Sequence, residues 1–162
     1  MALVQYSASN FKTVLPYKEE IWVDEDFVSY LDKMNEAAQK RMITIGVTSA
    51  FRLNSDHING AVVTPAKKSN HFVGHAIDLN LICNGMVFKS DDLSIAYQTK
   101  VPTIIQQIIK NFIAECKTDG MRYGGDFKPT ETANDPVHMD SGLYQRDPEK
   151  WKELYTAYHS SI

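Results

Sequence analysis

The stretch SNHFVGHAIDLN, residues 69–80, decides how the middle of the chain folds. Its second half continues into HAIDLNLIC, and this apolar, β-branched run over 75–83 predicts a strand. Gly74, just before the strand, disfavours a helix and favours a turn. Within the strand, Asp78 interrupts the apolar residues, where a buried carboxylate without a partner would be costly. We therefore expect Asp78 to be paired, hydrogen-bonded or bound to a metal ion.

The two histidines of this stretch are the candidate partners of Asp78. His71 and His75 have the spacing of the helical HExxH zinc motif, but that motif needs a glutamate after the first histidine, and Phe72 stands there. In a strand, His75 and Asp78 point to opposite faces because they are an odd number of residues apart. A turn at Gly74 would bring His71 back over the face that carries Asp78. The geometry therefore favours His71 with Asp78 and leaves His75 outside the site.

The sequence on either side predicts an α+β fold, with helices packed on a small antiparallel sheet. Amphipathic spacing predicts helices and β-branched runs predict strands. The predicted strands cover 43–48, 75–83 and 136–140, with a short one in 121–125, and Asn84-Gly85 forms a hairpin turn after the second. The predicted helices cover 24–42, 101–120 and 147–159. Their expected N-caps are Asp24 or Asp26, Thr103, and Asp147 followed by Pro148 at the first helical position, and Gly120 is expected to end the second helix. Polar loops over 53–70 and 126–136 are the candidate functional loops.

Composition and charge limit the classes of protein to consider. The 162 residues, 43% hydrophobic and 23% charged, suit a single domain over 1–162. A net charge of -3 leaves no positive excess for phosphates, so we expect no nucleic-acid partner. The sequence has neither a long apolar run nor a signal-peptide pattern, so we expect no membrane insertion and no Sec export. Cys83 and Cys116 are predicted to be buried free thiols.

Three further motifs complete a recognisable set. DPVH supplies Asp135 and His138, RYGGDF ends at Phe127, and SAFR ends at Arg52. Together with SNHFVGHAIDL, which matches the signature SxHxxGxAxD, they resemble the zinc-dependent D-alanyl-D-alanine carboxypeptidases of the VanY type and the phage L-alanyl-D-glutamate endolysins that share this signature. The resemblance spans residues 43–140 and leaves the first twenty residues unexplained. It implies the hedgehog/DD-peptidase fold.

The resemblance also implies a catalytic site with one zinc ion, Zn2+. His71, Asp78 and His138 would bind it, and three protein ligands leave a fourth position open for water. Asp135 would act as the base toward that water and then pass the proton to the leaving amine. Arg52 would stabilise the carbonyl oxygen as it becomes negative, or bind a carboxylate of the substrate.

Other polar residues have less specific assignments. Ser69 would hydrogen-bond near the site and contact substrate. Arg52, taken alone, also fits a surface ion pair. His75 has no role in the family and is expected at the surface or behind a ligand, and His57 is expected to be exposed in its loop. His159 is predicted at a helix end, where its charge would favour the helix dipole.

Two departures from the family bear on the substrate. Phe127 stands where tryptophan is usual, and Asp135 stands where many carboxypeptidases have glutamate. An aspartate base, a short chain and the lack of a signal peptide favour the L-Ala-D-Glu endopeptidase over the D-Ala-D-Ala carboxypeptidase. The expected partner is then a peptidoglycan stem peptide, and the protein is expected to be a monomer. It would reach the cell wall after release by a holin or delivery in a virion.

Two other functions stay open on the sequence. One is a catalytically inactive, zinc-stabilised binding module of the same fold, although a protein without catalysis has no need of a base such as Asp135. The other is a dipeptidase on free D-Ala-D-Ala, which needs a closed pocket able to bind both ends of its substrate. Two histidines and one carboxylate also bind divalent ions other than zinc.

Overall fold

The structure, a computed structural model, describes residues 1–14, 20–53, 68–94, 101–128 and 134–160. Its strands are Leu3–Gln5 (β1), Phe11–Thr13 (β2), Trp22–Asp24 (β3), Ile43–Ser49 (β4), Ala76–Cys83 (β5), Met86–Phe88 (β6), Arg122–Tyr123 (β7) and His138–Asp140 (β8). Its helices are Val28–Lys40 (α1), Ser90–Leu93 (α2), Thr103–Thr118 (α3), Leu143–Arg146 (α4) and Pro148–His159 (α5), with 3-10 turns at Glu25–Phe27, Asn70–Val73 and Gly124–Asp126. Within these ranges no helix has the length and apolar character needed to cross a membrane.

The central sheet runs in the order β2-β4-β5-β8-β7, and β6 also pairs with β5. The pairs β4-β5, β5-β6, β5-β8 and β7-β8 are antiparallel, as the sequence predicts. β2 differs, because it runs parallel to β4. The N-terminal segment, to which the sequence analysis assigned no structure, thus contributes β2 to this sheet and β1 to a separate antiparallel pair with β3. The α+β class is confirmed, with one parallel pair added.

The two longer helices α1 and α3 contact each other, and α1 contacts β4. Their apolar residues recur at helical spacing, and the buried ones are Leu31, Met34, Ala37 and Ala38 in α1 and Ile105, Ile109, Phe112, Ile113 and Cys116 in α3. These side chains share one core with Ile43, Ile45 and Val47 of β4. Burial of each large apolar side chain contributes about 1.5–3 kcal/mol. This core therefore fixes β4, and through the ladder it fixes β5 and the polar residues at its end.

The first helix starts later than predicted. The segment Trp22–Asp24 pairs with β1 as a strand instead of joining the helix. Asp24 does cap a helical turn, since its side chain accepts a hydrogen bond from the Asp26 amide at 3.0 Å, but this turn is the 3-10 segment Glu25–Phe27. α1 follows from Val28. The prediction of a helix from residue 24 was wrong because strand pairing with β1 outcompeted the local pattern.

The cap predicted for the third helix was also wrong. Thr103 is the first residue of α3, and the N-cap is Pro102, which makes no side-chain cap hydrogen bond. The remaining predicted elements are confirmed, and their bounds differ by at most two residues. Asn84 and Gly85 have φ of 52° and 76°, the left-handed values that a two-residue hairpin turn requires. In α5, the Asp147 side chain accepts a hydrogen bond from the Lys150 amide, as expected of its N-cap.

A second, smaller apolar cluster lies beneath α5. It consists of Phe72, Val73, Leu143, Trp151 and Leu154. Two of these residues belong to the 3-10 turn Asn70–Val73, so α5 packs directly on that turn. The main core holds both cysteines, buried and unpaired as predicted, and burial raises the pKa of Cys116 to about 12. The two clusters together hold the His71 segment between β5 and the last helix.

Candidate metal centre

The three predicted ligands come together near the start of β5. His138 lies directly opposite Asp78 in the β5-β8 ladder. Asp78 Oδ1 is 3.1 Å from His71 Nε2 and 3.2 Å from His138 Nδ1. One ligand atom from each of these three side chains lies within 4.8 Å of the other two, which is close enough for the three to share an ion. Among the histidine, cysteine, aspartate and glutamate side chains of the described residues, they are the group for which this holds.

The 3-10 turn Asn70–Val73, called the His71 turn below, brings His71 over Asp78. Ser69 caps it, with its hydroxyl accepting a hydrogen bond from the His71 amide at 3.2 Å. Gly74 ends it in the left-handed conformation, at φ 74°. A Cβ at Gly74 would lie 2.4 Å from the Asp24 amide nitrogen, so the position has neither the conformation nor the space for a side chain. The turn that the sequence predicted at Gly74 is therefore confirmed.

The two histidine rings are held so that each turns one nitrogen toward Asp78. His71 Nδ1 donates to the Ala50 carbonyl at 2.8 Å, which leaves Nε2 with its lone pair free for a metal. His138 Nε2 lies 2.7 Å from Asp140 Oδ2 and donates to it, which leaves Nδ1 for the same purpose. Metal-binding histidines commonly have the second nitrogen engaged in this way. Two imidazole nitrogens and one carboxylate oxygen are a donor set that suits a catalytic zinc ion.

Asp140 is a residue of the site that the sequence analysis missed. Besides accepting from His138, it accepts two hydrogen bonds from Arg122, each 2.9 Å long, and one from the Gly142 amide at 2.7 Å. Burial would raise the pKa of Asp140, but the hydrogen bonds from His138 and Arg122 outweigh it and hold the pKa below its usual range. The signal available in PVHMD was a second ionisable residue two positions after His138, on the same face of a buried strand.

The charges at the centre are tightly linked. Burial would raise the pKa of Asp78, but the charge of His71 and the hydrogen bonds from both histidines outweigh it and keep the carboxylate ionised. Burial would lower the pKa of His138, but its hydrogen bonds to Asp140 and Asp78 raise the pKa to about 9. Burial lowers the pKa of His71, and the attraction of Asp78 offsets this only in part. At neutral pH the centre therefore carries a proton on His138, at the position where a cation would bind.

Asp135 lies at the tight turn that leads into β8. Its amide donates to the Gly124 carbonyl at 2.9 Å, and its carbonyl accepts from the His138 amide at 3.0 Å. A Cβ at Gly124 would lie 2.1 Å from that carbonyl oxygen and 2.8 Å from His138 Cβ, so only glycine allows this approach. Burial and the charge of Asp78 raise the pKa of the Asp135 carboxyl. The carboxyl is therefore within electrostatic reach of the centre and a better proton acceptor than an exposed aspartate.

Arg52 reaches the centre from the end of β4. Its side chain is 10% exposed, and Nη1 lies 3.6 Å from Asp78 Oδ2 and donates to Ser49 Oγ at 2.8 Å. The alternative of a surface ion pair is therefore wrong, because the guanidinium is buried beside a ligand. Phe127 also borders the centre, with its ring centroid 5.6 Å from that of His138.

The other three histidines are not among the proposed ligands, and their observed places agree with the sequence predictions to different degrees. His75 is buried, 2% exposed, so of its two expected places the surface was wrong, and its ring nitrogens lie against Ser141 and Asp24 instead of the three proposed ligands. Its position three residues before Asp78 and one after the Gly74 turn directs the ring away from the centre. His159 lies at the end of α5, as predicted, and donates from Nε2 to the Phe72 carbonyl at 2.7 Å. His57 lies outside the described residues.

A family model described as D-alanyl-D-alanine carboxypeptidase matches residues 63–141, the segment that contains His71, Asp78, Asp135 and His138. Among solved structures, the chain is similar to the crystal structure of the Serratia marcescens L-Ala D-Glu endopeptidase ChiX, with 18% identity, a TM-score of 0.45 and coverage of 76% of this chain and 83% of that chain. No curated protein matches the sequence. The family suspected from the sequence is therefore the one whose model matches residues 63–141, the part of the chain that is similar to the D-alanyl-D-alanine carboxypeptidases.

Proposed function

We propose that the chain is a zinc-dependent peptidase that hydrolyses the stem peptides of peptidoglycan. The observation that carries the proposal is the convergence of His71, Asp78 and His138 beside the half-buried carboxyl of Asp135. The family match supports the same class of reaction and the same class of substrate. The binding module and the free-dipeptide hydrolase have no comparable observation in their favour.

His71 Nε2, Asp78 and His138 Nδ1 would hold the metal ion. When bound, a divalent ion supplies Lewis acidity, which lowers the pKa of a water molecule and polarises the carbonyl of the scissile bond. Zinc is the ion we propose, because two imidazoles and one carboxylate with an open position are typical of catalytic zinc sites. The proton on His138 must leave before its nitrogen can bind the ion.

Asp135 would act as general base and then as general acid. Burial raises its pKa, which improves a carboxylate as a proton acceptor near neutral pH. The carboxylate would take a proton from the attacking water and give it to the amine that leaves when the peptide bond breaks. The backbone of Asp135 is fixed by hydrogen bonds to the Gly124 carbonyl and from the His138 amide, so the residue is anchored next to the β8 ligand.

Arg52 would bind the negative charge that develops on the carbonyl oxygen, or a carboxylate of the substrate. Its guanidinium is buried next to Asp78 and does not depend on a flexible surface side chain. Donors held in place before the reaction stabilise a developing oxyanion without reorganisation. Ser69, which caps the His71 turn, would support the site from the same segment and contact substrate at its rim.

We further propose the L-Ala-D-Glu bond as the preferred target, because aspartate at the base position is shared with some phage endolysins. The test is mass spectrometry of purified peptidoglycan after digestion, with and without a chelator. A new N-terminal D-Glu identifies the endopeptidase, and loss of a terminal D-Ala identifies the carboxypeptidase. If neither product forms in a chelator-sensitive way, the proposed peptidase is ruled out.

Substitution of the base separates catalysis from metal binding. In Asp135→Asn we expect hydrolysis to fall by a factor of about 10² to 10⁴, since an amide cannot accept the proton. Zinc affinity should stay at the wild-type value, because Asp135 is not among the proposed ligands. Glu115→Gln is the matched control, because it alters a carboxylate that pairs with Lys40 and Arg41 at the C-terminal end of α1. Full hydrolysis by Asp135→Asn would remove Asp135 from the mechanism.

A further inference from the structure

His75, which the proposed mechanism does not use, forms two hydrogen bonds from the interior of the protein. Its Nδ1 lies 2.8 Å from Ser141 Oγ, and its Nε2 lies 3.0 Å from Asp24 Oδ1. Its ring packs on Phe27, with centroids 5.5 Å apart. His75 and its two polar partners are 0–3% exposed, so this is a buried hydrogen-bond network and not a surface ion pair.

The carboxylate of Asp24 completes the network. Its second oxygen accepts a hydrogen bond from the Tyr158 hydroxyl of α5. Burial would raise the pKa of Asp24, but the hydrogen bonds from His75 and Tyr158 outweigh it and lower the pKa. With Asp24 ionised, His75 Nε2 donates to it, and Nδ1 accepts from the Ser141 hydroxyl. We call Asp24, His75, Ser141 and Tyr158 the His75 network.

Burial excludes a nucleophilic role for this serine, histidine and aspartate set. Ser141 is 3% exposed, and its hydroxyl proton is directed to His75 inside the protein. Its amide donates to the His75 carbonyl, at 3.1 Å, and is therefore not available to bind a substrate oxyanion. A substrate has no approach to this hydroxyl, so the network serves the protein's own structure.

The network joins the two segments that carry the proposed ligands. On one side, His75 follows Gly74 at the end of the His71 turn, and its amide donates to the Asn70 carbonyl at 2.9 Å. On the other side, Ser141 directly follows β8, which carries His138. The position of His75 thus couples the end of the His71 turn to the end of β8, and both segments supply an imidazole to the same centre.

The last helix holds the His71 turn from its outer side. Trp151 Nε1 donates to the Ser69 carbonyl at 3.3 Å near the start of α5, and His159 Nε2 donates to the Phe72 carbonyl at 2.7 Å near its end. Tyr158, the residue before His159, donates to Asp24. α5 and Asp24 both lie outside residues 63–141, the segment shared with the family model.

We infer that His75 is a positioning residue for the metal centre: through Asp24, Ser141 and Tyr158 it fixes the His71 turn relative to β8, so that both imidazoles face one ion. The inference rests on the proposed function for the existence of that ion. It predicts that elements outside the family segment contribute to metal affinity, and not only to the stability of the fold.

The test compares zinc affinity among variants of the full chain, measured by competition with a chromophoric chelator. His75→Phe keeps the size of the ring but removes both hydrogen bonds, and we expect it to bind zinc about tenfold more weakly, at the low end of the effect of residues that orient metal ligands. His75→Gln keeps a donor for Asp24 and should lose less. Ile109→Ala, a cavity in α3 that lowers the melting temperature without touching the network, should keep the wild-type affinity.

Tyr158→Phe provides a milder variant if His75→Phe fails to fold. It removes one hydroxyl at the partly exposed end of α5, and we expect a loss of zinc affinity of about threefold, equivalent to one hydrogen bond. Tyr144→Phe, which removes a hydroxyl from a ring packed on Trp151, is the matched control and should bind as wild type does.

The outcomes separate this inference from the proposed function. If the wild type binds zinc and the network variants bind it as tightly as their controls do, the positioning role alone is overturned. Failure of the wild type to bind zinc would overturn the proposed function, and the inference with it. Weaker binding in His75→Phe or Tyr158→Phe, but not in Ile109→Ala or Tyr144→Phe, would support it.

Discussion

Asp140 is neither a proposed metal ligand nor the proposed base, yet it makes several of the hydrogen bonds that hold the centre. It accepts hydrogen bonds from His138, Arg122 and the Gly142 amide, and it is 1% exposed. Its charge fixes the donor nitrogen of His138 and so leaves Nδ1 for the ion. A negative partner also makes the imidazole a stronger ligand. Arg122 offsets the cost of burying that charge, and its side chain packs over Phe127 beside the same histidine.

We therefore expect Asp140→Asn to weaken zinc binding by about 10- to 100-fold, the range found for such partners. The amide keeps the shape but loses the charge, and one of its two terminal atoms would face Arg122 or His138 as a donor. Competition titration with a chelator measures the change. Glu115→Gln removes a carboxylate that also pairs with an arginine, far from the centre, and should leave the affinity unchanged. An Asp140→Asn protein with wild-type affinity would contradict the orienting role.

At the scale of elements, the 3-10 turn Gly124–Asp126 packs closely against the segment that leads into β8, since a Cβ at Gly124 would lie 2.1 Å from the Asp135 carbonyl oxygen. The Gly124 carbonyl accepts two backbone hydrogen bonds: one from Phe127, which closes the 3-10 turn Gly124–Asp126, and one from Asp135, which joins this turn to the segment from Asp135 to His138. One backbone position thus supports both a proposed ligand and the proposed base. A displacement of this turn would move both at once.

Gly124→Ala should therefore reduce zinc affinity and hydrolysis together. The new Cβ would lie 2.1 Å from a backbone oxygen, and backbone cannot yield as a flexible side chain does. We expect a loss of stability of about 1–3 kcal/mol from the forced shift, measured by thermal unfolding beside the chelator titration. Gly85→Ala is the control, because it strains a left-handed residue with no atom within 4 Å. If both variants lost only stability, the close approach would have no role in the site.

At the scale of the whole molecule, the sequence predicted what local patterns determine. The apolar spacing of α3 and the β-branched run of β5 gave their type and bounds, and the interrupting charge of Asp78 marked the site. Tertiary pairings were not predictable from such patterns. The parallel pairing of β2, the strand at Trp22–Asp24 and the burial of His75 all depend on segments distant in the chain. The pairing of His71 with Asp78 was predicted because only a short turn separates them.

The folded protein also determines how a proton and a metal ion compete for His138. Without metal, the folded protein raises the pKa of His138 from an ordinary 6.5 to about 9. A raised pKa stabilises the fold fully below about pH 6.5, and this contribution disappears as the pH rises through about 9. Metal binding has the opposite requirement, since His138 must be neutral to act as a ligand. Asp78, with its lowered pKa, stays ionised throughout this range.

The stabilisation by zinc should therefore grow from pH 6 to pH 9. Below the raised pKa each bound ion displaces one proton from His138, so the apparent affinity should weaken by up to about tenfold for each pH unit lost. Because a ligand stabilises the fold according to its concentration relative to its Kd, the difference in melting temperature between zinc-loaded and chelator-treated protein should widen with pH. The chelator-treated protein should lose stability over the same interval. A difference that stayed constant from pH 6 to pH 9 would show that His138 does not bind the ion through the nitrogen facing Asp78.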